Sequence, residues 1–485
     1  MTSLRPSIMD LWIASIDPSR LKDPLARQEL EQIVSLYKIH DGTTYPDVLD
    51  VSRGEPAERL HLEADALAEA VSISMPDPPL QQVTPALMQA GARLFTLQNG
   101  ALAKSFMAFH RGSTYHLINA AVQAKFTRFD QVVLLVPAQH WDGFSQLSES
   151  IYGRIEVAPS YETVEACILD ILRRQGVAVE SLTQAEVEAM ARQHIAAIVT
   201  AIPNNPTGEI PKPMALRAFA NAAARYQIPI ISDEIMARTI HPGADFISPG
   251  DMVVQLDGRR FDMNRLVMRV TSNSKTGDAP YGAQLSVAMS GDNGWLAAMM
   301  SMLPQTVGQG FAELAAIYPL HTPEDYYVSR AQEYAVHAEW ISRHMQRLNA
   351  TYGDDLLQWL VPPQAGYLGA IRFDASRLAA CGVDTPVKLI EYVVQVAGLK
   401  AGLVFPDASR PDLLAMRVNF NDEGQTRDML SRLEGIAQAV AGGVSYESVR
   451  LQPKTLAPEN HAMPDDASAA FRLNGGSAHS RSMGC

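Results

Sequence analysis

Along the middle of the chain, short apolar runs ending in polar turns alternate with stretches whose apolar positions recur at helical spacing. Ala196–Ile202 is one such run, too short for a helix and closed by Pro203-Asn-Asn-Pro-Thr-Gly208, so it reads as a buried strand entering a turn. Ile228–Ser232, ahead of Asp233-Glu234, and Phe129–Val136 have the same character. Tyr115–Lys125, Leu182–Gln193 and Pro213–Tyr226 read as helices between them. Strands alternating with helices predict an α/β fold whose sheet is mostly parallel and covered by helices. Beyond residue 326, a long helical stretch through Ala331–Ile341 precedes short strands around Tyr367, Phe405 and Val418, a pattern that predicts a smaller α+β domain. Asp10–Ile16 and Asp23–Val34 read as helices of an N-terminal arm. The expected division is an arm with part of the small domain over 1–79, a large domain over 80–325, a small domain over 326–445 and a flexible tail over 446–485. The tail is placed by its prolines and its Gly/Ser-rich end.

Composition narrows the partners. The chain has 485 residues, 47% hydrophobic and 19% charged, enough to bury the cores of two domains. A formal net charge of −13 argues against nucleic acid or an anionic membrane as the main partner. No apolar leader or membrane-length run occurs. Cys167, Cys381 and Cys485 are too few and too scattered for a disulfide frame or a zinc site, so no metal is expected and a reducing cytoplasm is the simplest compartment.

Candidate chemistry lies at the strand ends. Asn205, Asp233 and Lys275 each follow an apolar run, and in an open parallel sheet the strand ends are where ligands sit. Lys275 stands in the polar turn Thr271-Ser-Asn-Ser-Lys-Thr-Gly277, a setting that by itself describes an ordinary surface lysine. Upstream, Gly112-Ser113-Thr114 opens a helix. That turn is either a simple helix cap or a cradle of amides and hydroxyls for a phosphate.

Taken in order, strand-Asn-Asn-Pro-Thr-Gly, strand-Ser-Asp-Glu and Ser-x-Ser-Lys resemble the class I/II aminotransferases, a group of fold-type I pyridoxal-phosphate enzymes, over residues 48 to 440. The resemblance implies a three-layer α/β/α large domain with a smaller α+β domain, pyridoxal 5′-phosphate as cofactor, an amino-acid substrate and a homodimer with a shared active site. By the same resemblance Lys275 forms a Schiff base with the cofactor aldehyde and serves as the catalytic acid/base. Asp233 keeps the pyridine nitrogen protonated so that the ring withdraws electrons, and Asn205 donates to the ring phenolate without adding charge. Gly112, Ser113, Thr114 and Ser272 hold the phosphate. Trp141 stacks on the ring, with His140 as the alternative. Gly54, in Val48–Pro56, lies by the substrate, and Arg417 grips its carboxylate with a planar fork. Alternation along Leu414–Phe420 points Arg417 away from Met416 and Val418.

Two positions depart from the family pattern. Ala283 stands where an arginine normally neutralises the phosphate, and Met236 where a tyrosine normally touches the phenolate. Arg111 and Arg238 are the candidates to supply the missing charge. The expected function is an aminotransferase-like reaction of an α-amino acid. Elimination, replacement, cyclisation or decarboxylation on the same cofactor is the alternative, and a non-catalytic regulatory relative a more distant one.

Overall fold

The computed structural model describes residues 49–52, 85–95, 105–111, 113–128, 131–135, 138–141, 143–144, 147, 153–279, 284–303, 309–404 and 410–449. From the N-terminal side come β1 (Leu49–Asp50), α1 (Pro85–Leu94), β2 (Phe106–Arg111), α2 (Thr114–Gln123), β3 (Val132–Leu135), β4 (Arg154–Val157), α3 (Val164–Arg174), α4 (Gln184–His194) and β5 (Ile195–Ala201). Next are α5 (Pro213–Tyr226), β6 (Ile230–Asp233), a ribbon of β7 (Val253–Leu256) and β8 (Arg259–Asp262), β9 (Val267–Ser272), β10 (Leu285–Ser290), α6 (Asn293–Met302) and α7 (Gln309–His321). Then follow α8 (Glu324–Tyr352), β11 (Leu357–Trp359), β12 (Leu368–Phe373), α9 (Ala375–Ala380), α10 (Pro386–Ala397) and β13 (Leu399–Lys400). Last are β14 (Gly402–Val404), β15 (Ala415–Asn419), α11 (Glu423–Ala441) and α12 (Tyr446–Val449).

The main sheet has seven strands in the order β2-β10-β9-β6-β5-β3-β4. β9, β6, β5, β3 and β4 pair in parallel, whereas β10 runs antiparallel to both β9 and β2. β2 therefore points the same way as β9, and every strand except β10 ends at the same edge.

All seven residues of β5 are buried, as a strand covered on both faces requires. Ala197, Val199 and Ala201 join Ile231, Met268 and Val270 beneath α2 and α6, while Ile198, Ile230 and Val267 face α3, α4 and α5. A third cluster packs α1 and α7 on Leu285, Val287 and Met289 of β10. The result is the expected three-layer α/β/α arrangement with a mainly parallel sheet. Helix α5 occupies the range that its sequence pattern predicts, because Pro213 starts it without losing a hydrogen bond and Gln227, at φ 54°, reverses the chain after it.

The second sheet, β11-β12-β15-β14, is antiparallel and packs against α8, α10 and α11. Helix α8 runs for 29 residues, and its later part places Tyr334, Ile341 and Met345 in this second core. Packing continues past residue 445, since Tyr446 is buried with its hydroxyl bonded to Glu391 Oε2. The helices expected at Asp10–Ile16 and Asp23–Val34, the strand around Phe405 and residues 450–485 lie outside the described residues. No helix among the described residues is long and apolar enough to cross a membrane.

Candidate active site

Strand direction assembles the site. β9, β6, β5 and β3 end side by side, so the Lys275 turn, Asp233, the Asn205 turn and the Trp141 segment follow one another along the same sheet edge. β2 ends there too, and α2 begins three residues beyond it at Thr114. Side chains alternate across a strand, so Asp233 and Ser272 share the face of Ile231 and Val270, which is the face that α2 covers. Three of the sequence motifs thus meet on one side of the sheet although they span about 160 residues.

Lys275 is partly buried in a single 3-10 turn, Asn273–Lys275, that opens directly from β9. Ser272 Oγ accepts from Ser274 N at 3.2 Å, and Asn273 Oδ1 accepts from Leu285 N at 2.8 Å, which fastens the turn to β10. Ser113 caps α2 by accepting from Tyr115 N at 3.2 Å, so the capping reading of this residue is realised. Thr114 is buried at the first helical position, where amide groups have no partner within the helix.

The Asn205 turn is braced from two sides. Asn204 donates to Gln139 O at 3.0 Å, tying the turn to the Trp141 segment. Gly208, at φ +69°, leaves no room for a Cβ, which would stand 2.8 Å from the carbonyl oxygens of Ala365 and Leu368. Trp141 packs edge-on against Phe144, with centroids 5.5 Å apart, and against Tyr115 of α2 at 6.0 Å. A Cβ at Gly143 would lie 2.5 Å from its indole ring, so the glycine lets the ring fold back toward the helix N-terminus. His140 instead turns Nδ1 to Ala138 O at 3.1 Å.

Arg417 sits on β15 opposite Gly402 of β14. Its Nη1 donates to Asn205 Oδ1 at 3.2 Å and its Nη2 to Ser52 O at 2.9 Å. The second sheet therefore delivers this guanidinium to the strand-end turn of the first. Its Nε is buried without a hydrogen-bond acceptor among the described residues, a donor on a planar fork suited to a carboxylate. Ser52 lies in the Val48–Pro56 segment, two residues before Gly54; Gly54 itself, Gly112 and Ala283 lie outside the described residues.

Asp233 is the electrostatic centre of the group. Among the described residues the one hydrogen bond to its carboxyl comes from Ile235 N at 3.2 Å. Burial pushes its carboxyl up from 3.8 to about 7, opposed by the Ile235 amide and by the charge of Lys275. Because the folded protein holds this proton more tightly than the unfolded chain, the contribution to stability is complete below pH 3.8 and is lost as pH rises through about 7. The cofactor-free protein is expected to lose unfolding free energy across that window relative to Asp233→Asn, measured by urea unfolding at successive pH values. A difference between the two proteins that stays flat with pH refutes the assignment.

Of the two departures from the family pattern, the Met236 position falls among the described residues. Met236 is buried in the second core, and its Sδ lies 2.6 Å from where a Cβ at Gly366 would stand, so a small, φ +63° glycine accommodates the thioether. Arg238 donates to Glu324 Oε2 at 2.9 Å, and its guanidinium lies 3.9 Å from the Tyr327 ring centroid. The side chain of Arg111 lies outside the described residues. Sequence reasoning did not single out the Ser52 carbonyl, the space left by Gly402, or Asp278 and Tyr327. A backbone carbonyl and a helix tyrosine carry no local signal, whereas Asp278, an acid three residues beyond the key lysine, was a visible one.

These residues fit a cofactor that joins an aldehyde, a basic ring nitrogen and a phosphate. An amine, a buried acid with an elevated pKa and a helix N-terminus with hydroxyls line one strand edge. The sequence profile described as aminotransferase class I and II matches residues 79–376, more than half of the chain. The fold is similar to aspartate aminotransferase from Rhizobium meliloti, with TM-score 0.61 and 16% identity over 87% of this chain and 98% of that one. It is also similar to N-succinyldiaminopimelate aminotransferase from Mycobacterium tuberculosis, with TM-score 0.60 and 14% identity over 84% of this chain and 99% of that one. At such identities the likeness is one of fold. In sequence, 102 residues are 31% identical to the human probable inactive 1-aminocyclopropane-1-carboxylate synthase-like protein 2, a match spanning 21% of this chain and 18% of that relative. The family implies pyridoxal phosphate as cofactor. With the strand-end lysine, the buried aspartate and the profile match over one continuous stretch, the chain belongs to the class I and II aminotransferase family.

Proposed function

We propose that the protein transfers the amino group of an α-amino acid by way of pyridoxal phosphate carried on Lys275. The observation that carries this reading is Arg417, which reaches from the second sheet to Asn205 at 3.2 Å and so sets a carboxylate grip beside the lysine turn and the buried acid. Bound at this edge, pyridoxal phosphate supplies an aldehyde and a protonated ring that draws electrons away from the substrate Cα.

The chain's own residues do the rest. Asp233 holds a proton at the ring nitrogen, and the contact with that cation removes the cost of ionising a buried carboxyl. Asn205 orients the ring oxygen while its own Oδ1 is held by Arg417. Ser113, Thr114, Ser272 and Gly112 hold the phosphate at the start of α2. Trp141 covers a face of the ring. Arg417 binds the substrate carboxylate and thereby fixes which substituent at Cα is aligned for cleavage, with Gly54 beside it. Lys275 Nζ would be the base that takes the proton from the substrate Cα. A homodimer completes the site in this reading.

Loading the protein with cofactor and supplying a panel of α-amino acids tests the reaction type. Release of a 2-oxo acid together with conversion of the cofactor to its amine form is the expected result. Met236, buried where the family has a tyrosine, favours a second reading in which the same residues direct elimination, replacement, cyclisation or decarboxylation. Product without the amine form of the cofactor selects that reading and removes the first. The joint presence of Lys275, Asp233, Asn205 and Arg417 opposes a purely regulatory role.

A further inference from the structure

Three residues beyond Lys275, the carboxyl of Asp278 is buried with no exposure to solvent. Burying an ionisable group is costly unless it is fully hydrogen-bonded, and here the donors come from separate parts of the chain. Asp278 Oδ1 accepts from Thr276 Oγ1, and Oδ2 accepts from Tyr327 Oη at 2.6 Å. Tyr327 belongs to the first turn of α8, and its ring is covered by the guanidinium of Arg238, which Glu324 holds at 2.9 Å. Arg238 follows Asp233 by five residues, so the network joins the end of β6, the turn after β9 and α8. Burial raises the Asp278 carboxyl, and the Thr276 and Tyr327 hydroxyls and the Arg238 charge pull it back.

Geometry gives the network a purpose beyond packing. The lysine turn is fastened at its start by Asn273 to Leu285 N, and Gly277, at φ +77°, turns the chain immediately after it. The Asp278–Tyr327 bond is the fastening on the far side of Lys275. Its other partner, α8, continues into the core beneath the sheet that carries Arg417. The helix thus ties the turn bearing the amine to the body that bears the carboxylate grip.

We propose that Asp278, held by Tyr327, is a positioning residue for Lys275, and that Arg238 serves this buried pair and not the cofactor phosphate. The inference rests on the cofactor reading above. The network fixes where the Lys275 amine stands relative to the cofactor aldehyde.

Cofactor-free protein titrated with pyridoxal phosphate tests it. The Lys275 amine adds to the aldehyde carbon, water leaves, and the resulting C=N bond is reduced by borohydride to a stable C–N bond that mass spectrometry locates. Tyr327→Phe, which removes only the hydroxyl, is expected to slow the maximal rate of this bonding by about tenfold or more, the scale of a small misplacement of reacting groups, while the half-saturating cofactor concentration stays unchanged. Asp278→Asn keeps an oxygen that accepts from Tyr327 and is expected to retain a faster rate than Tyr327→Phe. If both variants melt at lower temperature yet bond Lys275 at the wild-type rate, the network is structural only and the proposal fails. An equal rise in the half-saturating concentration for Arg238→Lys and for Ser272→Ala assigns Arg238 to the phosphate and also overturns it. Failure of borohydride to trap Lys275 in the wild-type protein refutes the cofactor reading itself, a result distinct from either of these.

Discussion

Lys275→Ala is expected to remove the visible absorbance of the bound cofactor and to lower turnover by about 10²- to 10⁴-fold, the range for loss of a positioned proton-transfer group. On the proposed reading Asp233 and the α2 N-terminus still hold the cofactor in this variant, so pyridoxal phosphate is expected to bind reversibly and without a covalent bond. A small primary amine added to the variant is expected to restore part of the rate, because the gap left by the side chain admits a freely diffusing base. Spectra and single-turnover rates with and without the amine check both points. A variant that keeps the absorbance band, or that turns over at the wild-type rate, places the covalent bond on another residue. The substitution is mild for the fold, since Lys275 is only partly buried and its turn is held through Ser272 and Asn273.

Arg417→Ala has the next largest expected effect. Truncating one partner of a buried, hydrogen-bonded charge pair costs about 2–5 kcal/mol. At about 1.4 kcal/mol per factor of ten, this lowers kcat/KM for the amino acid by roughly 30- to several-thousand-fold. The loss also frees Asn205 Oδ1 and the Ser52 carbonyl, both of which the guanidinium holds. The fall is expected mainly in KM, with the bonding of cofactor to Lys275 retained. Gly402→Val approaches the same outcome from the neighbouring strand, because a Cβ there would stand 3.0 Å from Arg417 Nε and 3.3 Å from Nη2 and would push the fork aside. Steady-state kinetics on both variants, beside the absorbance of the bound cofactor, separate substrate binding from cofactor binding. An unchanged KM in Arg417→Ala removes it from the carboxylate site.

Much of this arrangement was legible in the residues. The order of apolar runs and turns predicts the strand-helix alternation, and α5 and β5 fall within a residue of their expected ranges. Those elements were readable because burial on both sheet faces leaves continuous apolar runs and because Pro213 marks a helix start. Asn205, Asp233 and Lys275 were readable because each sits where such a run stops. The alternation along β15 placed Arg417 opposite its apolar neighbours, as its burial pattern reflects.

Other features have no local signature. Antiparallel β10, inserted between β2 and β9, keeps β2 pointing toward the shared edge, and nothing in its apolar run distinguishes it from a parallel strand. The burial of Met236 against Gly366 depends on a chain segment 130 residues away. The commitment of Arg238 to Glu324 and Tyr327 similarly joins a strand-end loop to the first turn of α8.

The chain's linear pattern thus specifies where its strands stop and which residues stand at each strand end, because short-range hydrophobic spacing and turn chemistry encode those boundaries. Which side chains meet is a matter of long-range packing. Arg417 becomes a neighbour of Asn205, and Asp278 of Tyr327, through contacts spanning 212 and 49 residues. Such contacts follow from the geometry of two buried cores, and no window along the sequence contains both partners.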